Sequence, residues 1–283
     1  MVRYIGGKFR MANWISNFIP DNIETYVEVF GGAYWVYLKT DIYKKPIIKE
    51  IVYNDFNRYM VNLFECCRTP QEFYDYMIDI KSQVKELHDS YREEIFETKN
   101  IDEVKLGDFE FGMKYAYVIT QGWSGHNPSK QNFIDLKGKY ESLFESFRKR
   151  LVKPDYVEKL KSIDVCENMD YSDVIEKYDS PSTFFYCDPP YWQREDFYSL
   201  HEFDRGDHQK LCMQLKGIQG DFALSYYNFD LLGEWFPDDE YVWEKKNFVV
   251  SAGAAENVKQ RKSEELLIMN YEVGDYNLGR FFI

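Results

Sequence analysis

The run Asp188-Pro189-Pro190-Tyr191 joins a carboxylate, a rigid backbone and an aromatic ring at the end of an apolar segment, Thr183 to Cys187. Two adjacent prolines remove two backbone donors and force an extended path, so the Asp188 carboxylate and the Pro189 carbonyl can both face a pocket. These oxygens can accept the two hydrogens of an exocyclic amine while Tyr191 stacks on its ring. Open α/β sheets bind ligands where such strands end. A strand-ending turn without chemistry is the alternative, because Asp-Pro is common in loops.

A glycine pair marks a second candidate site. Gly31-Gly32 directly follows the β-rich run Thr25 to Phe30 and precedes a predicted helix that starts within Ala33 to Leu38. The backbone can approach a ligand closely at such a turn. The spacing is not G-x-G-x-x-G and no G-x-x-x-x-G-K-[ST] is present, which disfavours a phosphate cradle and a nucleotide-dependent oxidoreductase. An uncharged nucleoside, such as the adenosyl part of S-adenosylmethionine, suits this turn better than a dinucleotide.

Two acidic residues accompany this turn. Asp55 follows the β-rich run Ile51 to Asn54, at a position where a carboxylate can accept hydrogen bonds from ribose hydroxyls. Glu28 would lie at the end of the first strand, near the sulfonium or amino-acid portion of the same ligand.

The N-terminal region carries another glycine pair within Tyr4-Ile5-Gly6-Gly7-Lys8. A flexible tail is one interpretation. The apolar residues after it indicate instead that a helix anchors this segment and folds it over the pocket: Trp14, Ile15, Phe18 and Ile19.

Composition sets the class of protein. The chain has 283 residues, 45% hydrophobic and 29% charged, which is typical of a globular protein with a large core. No apolar run approaches a membrane span and the first twenty residues lack a secretory core, so we expect a cytoplasmic protein. Five cysteines without CxxC spacing and four scattered histidines disfavour a disulfide framework or a metal site.

The charge distribution bears on nucleic acid binding. The net charge of −13 opposes phosphate binding, but residues 114–153 contain eight Lys or Arg against three acidic residues. A second basic segment covers residues 243–262, with five basic residues against two acids. An acidic body with basic segments can bind DNA, although ordinary solvated faces would give the same counts.

Periodicity predicts an α/β architecture. The amphipathic spacing from Phe73 to Tyr91 predicts a helix of several turns, and residues 121–132 (QGWSGHNPSKQN) predict an exposed loop. We predict a Rossmann-like, doubly wound mixed sheet built from residues 1–57 and 154–283, interrupted by a mainly helical insertion at 58–153. The later β-rich runs are Ile163 to Cys166, Thr183 to Cys187, Phe222 to Ser225, Tyr241 to Trp243 and Leu266 to Met269.

Four motifs in order resemble the Dam-like (D12 class, α-type) DNA adenine N6-methyltransferases over nearly the whole chain. They are YIGGK at 4–8, VEVFGG at 27–32, YNDFN at 53–57 and FYCDPPY at 185–191, continued by LSYYN at 224–228 and KSEELL at 262–267. The resemblance implies an S-adenosylmethionine-dependent methyltransferase fold, in which the insertion recognises the DNA target. It implies double-stranded DNA as partner. Direct methyl transfer requires no metal, and we expect a monomer or weak dimer.

The resemblance also implies roles for individual residues. Tyr4 would pack against the adenine of S-adenosylmethionine, and Gly6, Gly7 and Lys8 would complete this N-terminal cofactor motif. Phe30, Gly31 and Gly32 would line the methionine and adenosyl pocket, Asp55 would hold the ribose, and Asp170 would help to frame the cofactor adenine. Glu28 belongs to the same predicted cofactor site. Asp188, Pro189, Pro190 and Tyr191 would hold the flipped adenine for direct transfer, without a covalent intermediate. The predicted DNA contacts are Arg3, Trp123, Ser124, His126, Lys130, Lys137, Lys139, Lys259 and Arg261.

The insertion departs from the best-known branch of the family. Gln121-Gly122-Trp123-Ser124-Gly125 looks closer to the phage-type loop, so the resemblance does not predict GATC as the target sequence. Trp123 can stack at the DNA or anchor the loop internally. Other possible substrates for the same pocket are cytosine N4, an RNA base or a protein glutamine. Asp188 and the basic insertion favour adenine in DNA over these alternatives. A catalytically silent DNA-binding homologue is the alternative from another class.

Overall fold

Seven strands form one mixed sheet among the residues that the computed structural model describes, which are 7–98, 100–122, 129, 132–138, 141–192, 203–250 and 261–273. Their order across the sheet is β3-β2-β1-β4-β5-β7-β6. The first five pair in parallel, and β7 runs antiparallel to both β5 and β6. The strands are β1 (Thr25–Glu28), β2 (Glu50–Asn54), β3 (Val165–Glu167), β4 (Thr183–Cys187), β5 (Asp221–Tyr226), β6 (Val242–Val250) and β7 (Arg261–Met269).

The predicted α/β class and mixed sheet are confirmed. Because β1, β2, β4 and β5 are parallel neighbours, the loops at their carboxyl ends meet at one edge of the sheet. All five side chains of β4 are buried, as expected for a central strand covered on both faces. The sequence motifs after β1, β2 and β4 are therefore brought to a common edge.

Helices cover the two faces of the sheet. Several begin at a side chain that accepts a backbone N–H, as Asn57 does from Tyr59 and Asp108 does from Phe111. Among the described residues, none of these helices combines the length and apolar character needed to cross a membrane. The helices are α1 (Ala12–Ile15), α2 (Trp35–Lys39), α3 (Arg58–Cys67), α4 (Pro70–Tyr76), α5 (Lys85–Glu93), α6 (Phe109–Gln121), α7 (Leu143–Leu151), α8 (Pro154–Lys161), α9 (Tyr171–Tyr178), α10 (Arg205–Gly217) and α11 (Leu232–Trp235).

The prediction of one continuous helix from Phe73 to Tyr91 is wrong. The chain forms α4 and α5 instead, separated at residues 77–84. In the gap, the Arg148 guanidinium donates to the carbonyl oxygens of Met77 (2.5 Å), Ile78 (3.1 Å) and Ile80 (3.1 Å). Gln83 takes a left-handed conformation with φ of 60°. Tertiary hydrogen bonds thus replace helical ones, although the apolar spacing favours a helix.

One cluster of buried apolar side chains continues from the sheet into the helices between β2 and β3. It joins Tyr26 and Tyr53 of the sheet with Phe64, Tyr115 and Phe147 of α3, α6 and α7. The described part of the 58–153 segment is mainly helical and shares this core with the sheet. Its role as a separate target-recognition domain stays a prediction.

Candidate active site

The Asp188 to Tyr191 run begins directly after β4, at the middle of the sheet. The Asp188 side chain is 16% exposed, and both prolines and Tyr191 are buried. Burial raises the pKa of the Asp188 carboxyl above its usual range, and the Lys8 ammonium beside it partly offsets this rise. The run therefore places a carboxylate with restricted access to water beside an aromatic ring.

Lys8, in the N-terminal segment, contacts both Asp188 and Tyr191 and forms a buried cluster with them. Its ammonium nitrogen lies 2.6 Å from Asp188 Oδ1, contacts the Tyr191 hydroxyl, and stands 4.6 Å from the centre of the Tyr191 ring. The Lys8 side chain is itself buried. Lys8 was predicted to complete the cofactor motif, whereas the structure places its charge on the Asp188 side of the site.

The local fold explains how Lys8 reaches this position. The Lys8 carbonyl accepts the backbone N–H groups of Met11 (2.8 Å) and Ala12 (2.6 Å), which starts α1. The predicted anchor is confirmed, because the apolar side chains after Lys8 are buried: Trp14, Ile15, Phe18 and Ile19.

Glu265 also belongs to this cluster, and no role was predicted for it from the sequence. It is 2% exposed on β7, and its Oε1 accepts the Tyr191 hydroxyl at 2.6 Å and lies 3.4 Å from the Lys8 ammonium. Burial raises the pKa of the Glu265 carboxyl above its usual range. A signal was present, since an acidic residue directly precedes the apolar run from Leu266 to Met269.

The glycine turn after β1 is held by the loop after β2. Gly31 N–H donates to the Asn54 carbonyl at 2.7 Å, and Gly32 N–H donates to Asp55 Oδ2 at 2.7 Å. Asp55 Oδ1 accepts the N–H of Asn57, also at 2.7 Å. Burial raises the pKa of Asp55 to about 6, against the effect of these hydrogen bonds. The structure thus brings Gly31, Gly32 and Asp55 together, with the Asp55 carboxylate fixing the turn.

Glu28 ends β1 and is buried below this turn. Its Oε1 accepts the Tyr26 hydroxyl at 2.7 Å and the Tyr37 N–H at 2.6 Å. Burial raises the pKa of Glu28 to about 8, and the nearby Asp188 adds to the rise. At neutral pH the Glu28 carboxyl is therefore mostly protonated.

Replacing Glu28 by glutamine should reduce the loss of stability at alkaline pH. The folded-state pKa lies above the unfolded value, so folding binds a proton and the free energy of unfolding falls as pH rises from about 5 to about 8. Glu28→Gln keeps the acceptor oxygen without the charge, and we expect its Tm to fall several degrees less than that of the original protein between pH 6 and pH 9. Thermal unfolding measures this. The exposed Glu72→Gln should follow the original protein, and an equal fall for Glu28→Gln would contradict the burial argument.

Phe30 and Asp170 both lie beside the start of α9. Phe30 is half-buried and stacks on Tyr171, with ring centres 5.8 Å apart. Asp170 is the N-cap of α9, where its carboxylate accepts the Ser172 N–H at 2.9 Å. The cap explains the residue type at 170 without a ligand, and its contact with the cofactor stays a prediction.

Most of the predicted DNA-contacting residues lie outside the described part of the chain. Of the basic residues in 114–153, Lys114 pairs internally with Glu94 and Glu110, and buried Arg148 binds carbonyls. Lys137 is exposed, in a left-handed turn with φ of 49°. Arg261 begins β7, and only its backbone is described. Nine predicted site residues lie outside the described residues: Arg3, Tyr4, Gly6, Trp123, Ser124, His126, Lys130, Lys139 and Lys259.

Within the described ranges, no group of three or more His, Cys, Asp or Glu side chains is arranged to hold a metal ion. The described cysteines are unpaired with one another, and four of the five are buried. Among the residues that the structure describes, the chemical groups at this sheet edge are carboxylates, the Lys8 ammonium, aromatic rings and backbone amides.

Comparison with known proteins bears on the identity of this site. A modification methylase from Streptococcus sanguinis, StsI, is 24% identical over 98% of this chain and 43% of its own length. The type II methyltransferase M.FokI from Planomicrobium okeanokoites is 23% identical over 95% of this chain and 42% of its own length. The chain thus spans less than half the length of these curated relatives.

A family model extends the same similarity. It is described as D12 class N6 adenine-specific DNA methyltransferase and matches residues 4–251, which include the glycine turn, Asp55 and the Asp188 to Tyr191 run. With this match over most of its length, the chain belongs to the D12 class N6 adenine-specific DNA methyltransferase family.

Proposed function

We propose that this protein transfers a methyl group from S-adenosylmethionine to N6 of an adenine flipped out of double-stranded DNA. The observation that carries the proposal is the buried cluster of Asp188, Tyr191 and Lys8 at the carboxyl end of β4, next to the strand that ends in the glycine turn. Family membership supports the same reaction. A base within a duplex is inaccessible, so it must leave the stack at a cost of roughly a few kcal/mol.

Asp188 and Tyr191 supply what the flipped base needs. The Asp188 carboxylate and the Pro189 carbonyl accept the two amine hydrogens, which turns the nitrogen electron pair towards the methyl donor. Stacking on Tyr191 recovers on the order of 1–3 kcal/mol of the unstacking cost. Catalysis then consists of positioning and charge placement, so no nucleophilic side chain is required.

The residues at the glycine turn suit S-adenosylmethionine. This compound supplies an electrophilic methyl carbon on a sulfonium group. Glu28 offers a carboxyl that a neighbouring cation would ionise, since its pKa of about 8 lies close to neutral pH. Gly31 and Gly32 let the backbone approach the ligand, Phe30 offers a ring face, and Asp55 would face the ribose.

Removal of the Asp55 carboxylate should weaken cofactor binding. Asp55→Ala leaves the buried N–H groups of Gly32 and Asn57 without their acceptor, at a cost of about 1–3 kcal/mol for each. The glycine turn loosens, and we expect the affinity for S-adenosylmethionine to fall about tenfold or more in calorimetry.

Asp108→Ala is a matched control for this variant. Asp108 also accepts a backbone N–H at a helix start, but it does so at α6, away from the glycine turn. It should lower stability and leave cofactor affinity within about twofold. If Asp55→Ala bound S-adenosylmethionine as tightly as the original protein, the role of Asp55 in the site would be refuted.

We further propose that residues 58–153 serve as the target-recognition domain and that the loop at 121–132 contacts bases. Support comes from Lys137, whose side chain is exposed and makes no salt bridge within the described part of the chain. Such cations position the duplex through phosphates, whereas loop side chains distinguish bases.

Expression in a host that lacks DNA methylation tests the proposed function. We expect sequencing of the host genome to reveal N6-methyladenine at one short recurring sequence, absent from cells with an empty vector. Methylated cytosine N4 at the sites would reassign the substrate. An unmethylated genome, with purified protein that binds S-adenosylmethionine, would indicate a catalytically silent homologue.

A further inference from the structure

Glu265 lies where the ends of β5 and β7 meet the Asp188 to Tyr191 run. Leu266 pairs with Tyr226, the last residue of β5, so Glu265 lies one residue past the β5–β7 pairing, at the same sheet edge as Asp188, and is still paired with Lys246 of β6. Its contact with Tyr191 joins residues that are 74 positions apart in the chain. The position is therefore created by the antiparallel return of β7.

The burial of Glu265 is costly for a purely structural residue. A carboxylate at 2% exposure loses most of its hydration, and an apolar side chain of similar volume often stabilises a protein as well or better. The Tyr191 hydroxyl and the Lys8 ammonium compensate this charge in part. Both partners belong to the proposed catalytic cluster of Asp188, Tyr191 and Lys8. This indicates that the Glu265 charge is kept for its effect on these side chains.

The bond to Glu265 fixes the ring of Tyr191. A phenol ring held only by packing can tilt about its side-chain torsions, whereas a 2.6 Å hydrogen bond at its far end fixes the direction of its face. The Tyr227 ring lies against it with centres 4.3 Å apart. The base-stacking face is thus set by contacts at the hydroxyl and at the ring.

Glu265 also offers the Lys8 ammonium a second partner. In this structure Lys8 binds Asp188 Oδ1 and covers the Tyr191 ring. These are the carboxylate and the ring face that a target adenine would use. A base that displaces Lys8 from Asp188 would take one neighbouring carboxylate from this buried ammonium, and another carboxylate nearby would then balance its charge. Glu265 is such a carboxylate, at 3.4 Å.

We propose that Glu265 is a positioning residue for methyl transfer, which acts by orienting Tyr191 and by holding Lys8 when the base engages Asp188. This inference rests on the proposed function. It assigns a role in the reaction to a residue of β7, the strand antiparallel to those that carry the motifs.

Two substitutions separate the parts of this role. Glu265→Leu removes both the acceptor and the charge, and we expect kcat on DNA to fall about 100-fold, because small displacements of reacting groups have effects of this size. Glu265→Gln keeps an oxygen for the Tyr191 hydroxyl, and should recover part of the loss, with a fall of about tenfold. The KM for DNA and the affinity for S-adenosylmethionine should stay within about threefold. Unmethylated genomic DNA and a labelled methyl donor provide the assay.

A double-mutant cycle with Tyr191→Phe tests the contact itself. Tyr191→Phe removes the hydroxyl and keeps the ring, so its effect and that of Glu265→Leu should overlap rather than multiply. Glu264→Leu, at the adjacent and partly exposed position, should keep the original kcat. Thermal unfolding of each variant excludes loss of fold as the cause.

The outcomes distinguish this inference from the proposed function. An original protein without activity on any DNA would refute the proposed function. An active original protein with an equally active Glu265→Leu variant, or with effects of Tyr191→Phe and Glu265→Leu that multiply, would overturn the role of Glu265.

Discussion

Asp188→Ala should lower kcat for DNA methylation by on the order of 10³-fold while the protein stays folded and binds S-adenosylmethionine. The substitution removes the carboxylate that accepts the target amine. The fold should survive, because the buried Lys8 ammonium keeps the Glu265 carboxylate at 3.4 Å and the Tyr191 hydroxyl. Steady-state methylation of genomic DNA gives kcat, and calorimetry gives the cofactor affinity.

The opposite edge of the sheet provides a control for this variant. Asp179 precedes β4, and its carboxylate accepts the N–H groups of Gln219 (2.9 Å) and Gly220 (3.0 Å) at the amino ends of the strands. Asp179→Ala should cost about 1 kcal/mol of stability and keep kcat within about twofold. A similar loss of rate in both variants would attribute the effect of Asp188→Ala to general destabilisation. Near-normal turnover by Asp188→Ala would refute its catalytic role.

The sequence predicted those parts of the site that depend on neighbouring residues. Asp188, the two prolines and Tyr191 are adjacent, and β4 itself was predicted with its observed bounds, because an apolar run ahead of two prolines leaves few alternatives. Gly31, Gly32 and Asp55 come from two short runs whose parallel pairing is a common arrangement. Local patterns of this kind indicate where a strand ends and which side chains stand at its end.

Contacts between distant residues were not predictable in the same way. Lys8 and Asp188 are 180 positions apart, and no periodicity links them. The predicted strand Tyr241 to Trp243 is observed as β6, nine residues long, because the charged residues Glu244, Lys245 and Lys246 continue it. Arg148 binds carbonyls 68 to 71 positions away, in the gap that interrupts the predicted helix between Phe73 and Tyr91. In each case tertiary pairing overrides the local preference.

The glycine turn shows how a local motif depends on a distant ring. Gly31 and Gly32 are needed for different reasons. Gly32 has φ of 47°, a left-handed conformation that side chains disfavour. A Cβ at Gly31 would lie 2.3 Å from Tyr53 Cε2 and 2.8 Å from the Asn54 carbonyl oxygen, so this position requires glycine for space.

Gly31→Ala should therefore destabilise the protein and weaken S-adenosylmethionine binding together. Tyr53 cannot move aside, because its ring is fully buried against Phe64 at 4.5 Å and its hydroxyl donates to the Gly32 carbonyl at 2.9 Å. The turn must shift instead, at about 1–3 kcal/mol or more. We expect a Tm lower by several degrees and a cofactor affinity reduced by at least about tenfold, as measured by thermal unfolding and calorimetry.

Gly217→Ala is the matched control for Gly31→Ala. Gly217 is the last residue of α10, and no described atom other than its chain neighbours and its own helix lies within 4 Å of a Cβ built there. The same added methyl group should be neutral or stabilise the helix by about 0.4–1 kcal/mol. If Gly31→Ala bound S-adenosylmethionine normally, the turn would have to tolerate a contact of 2.3 Å or the ligand would have to bind elsewhere. Either result would separate the glycine pair from the cofactor site, whereas a joint loss of stability and affinity ties the packing of Tyr53 to the binding of the methyl donor.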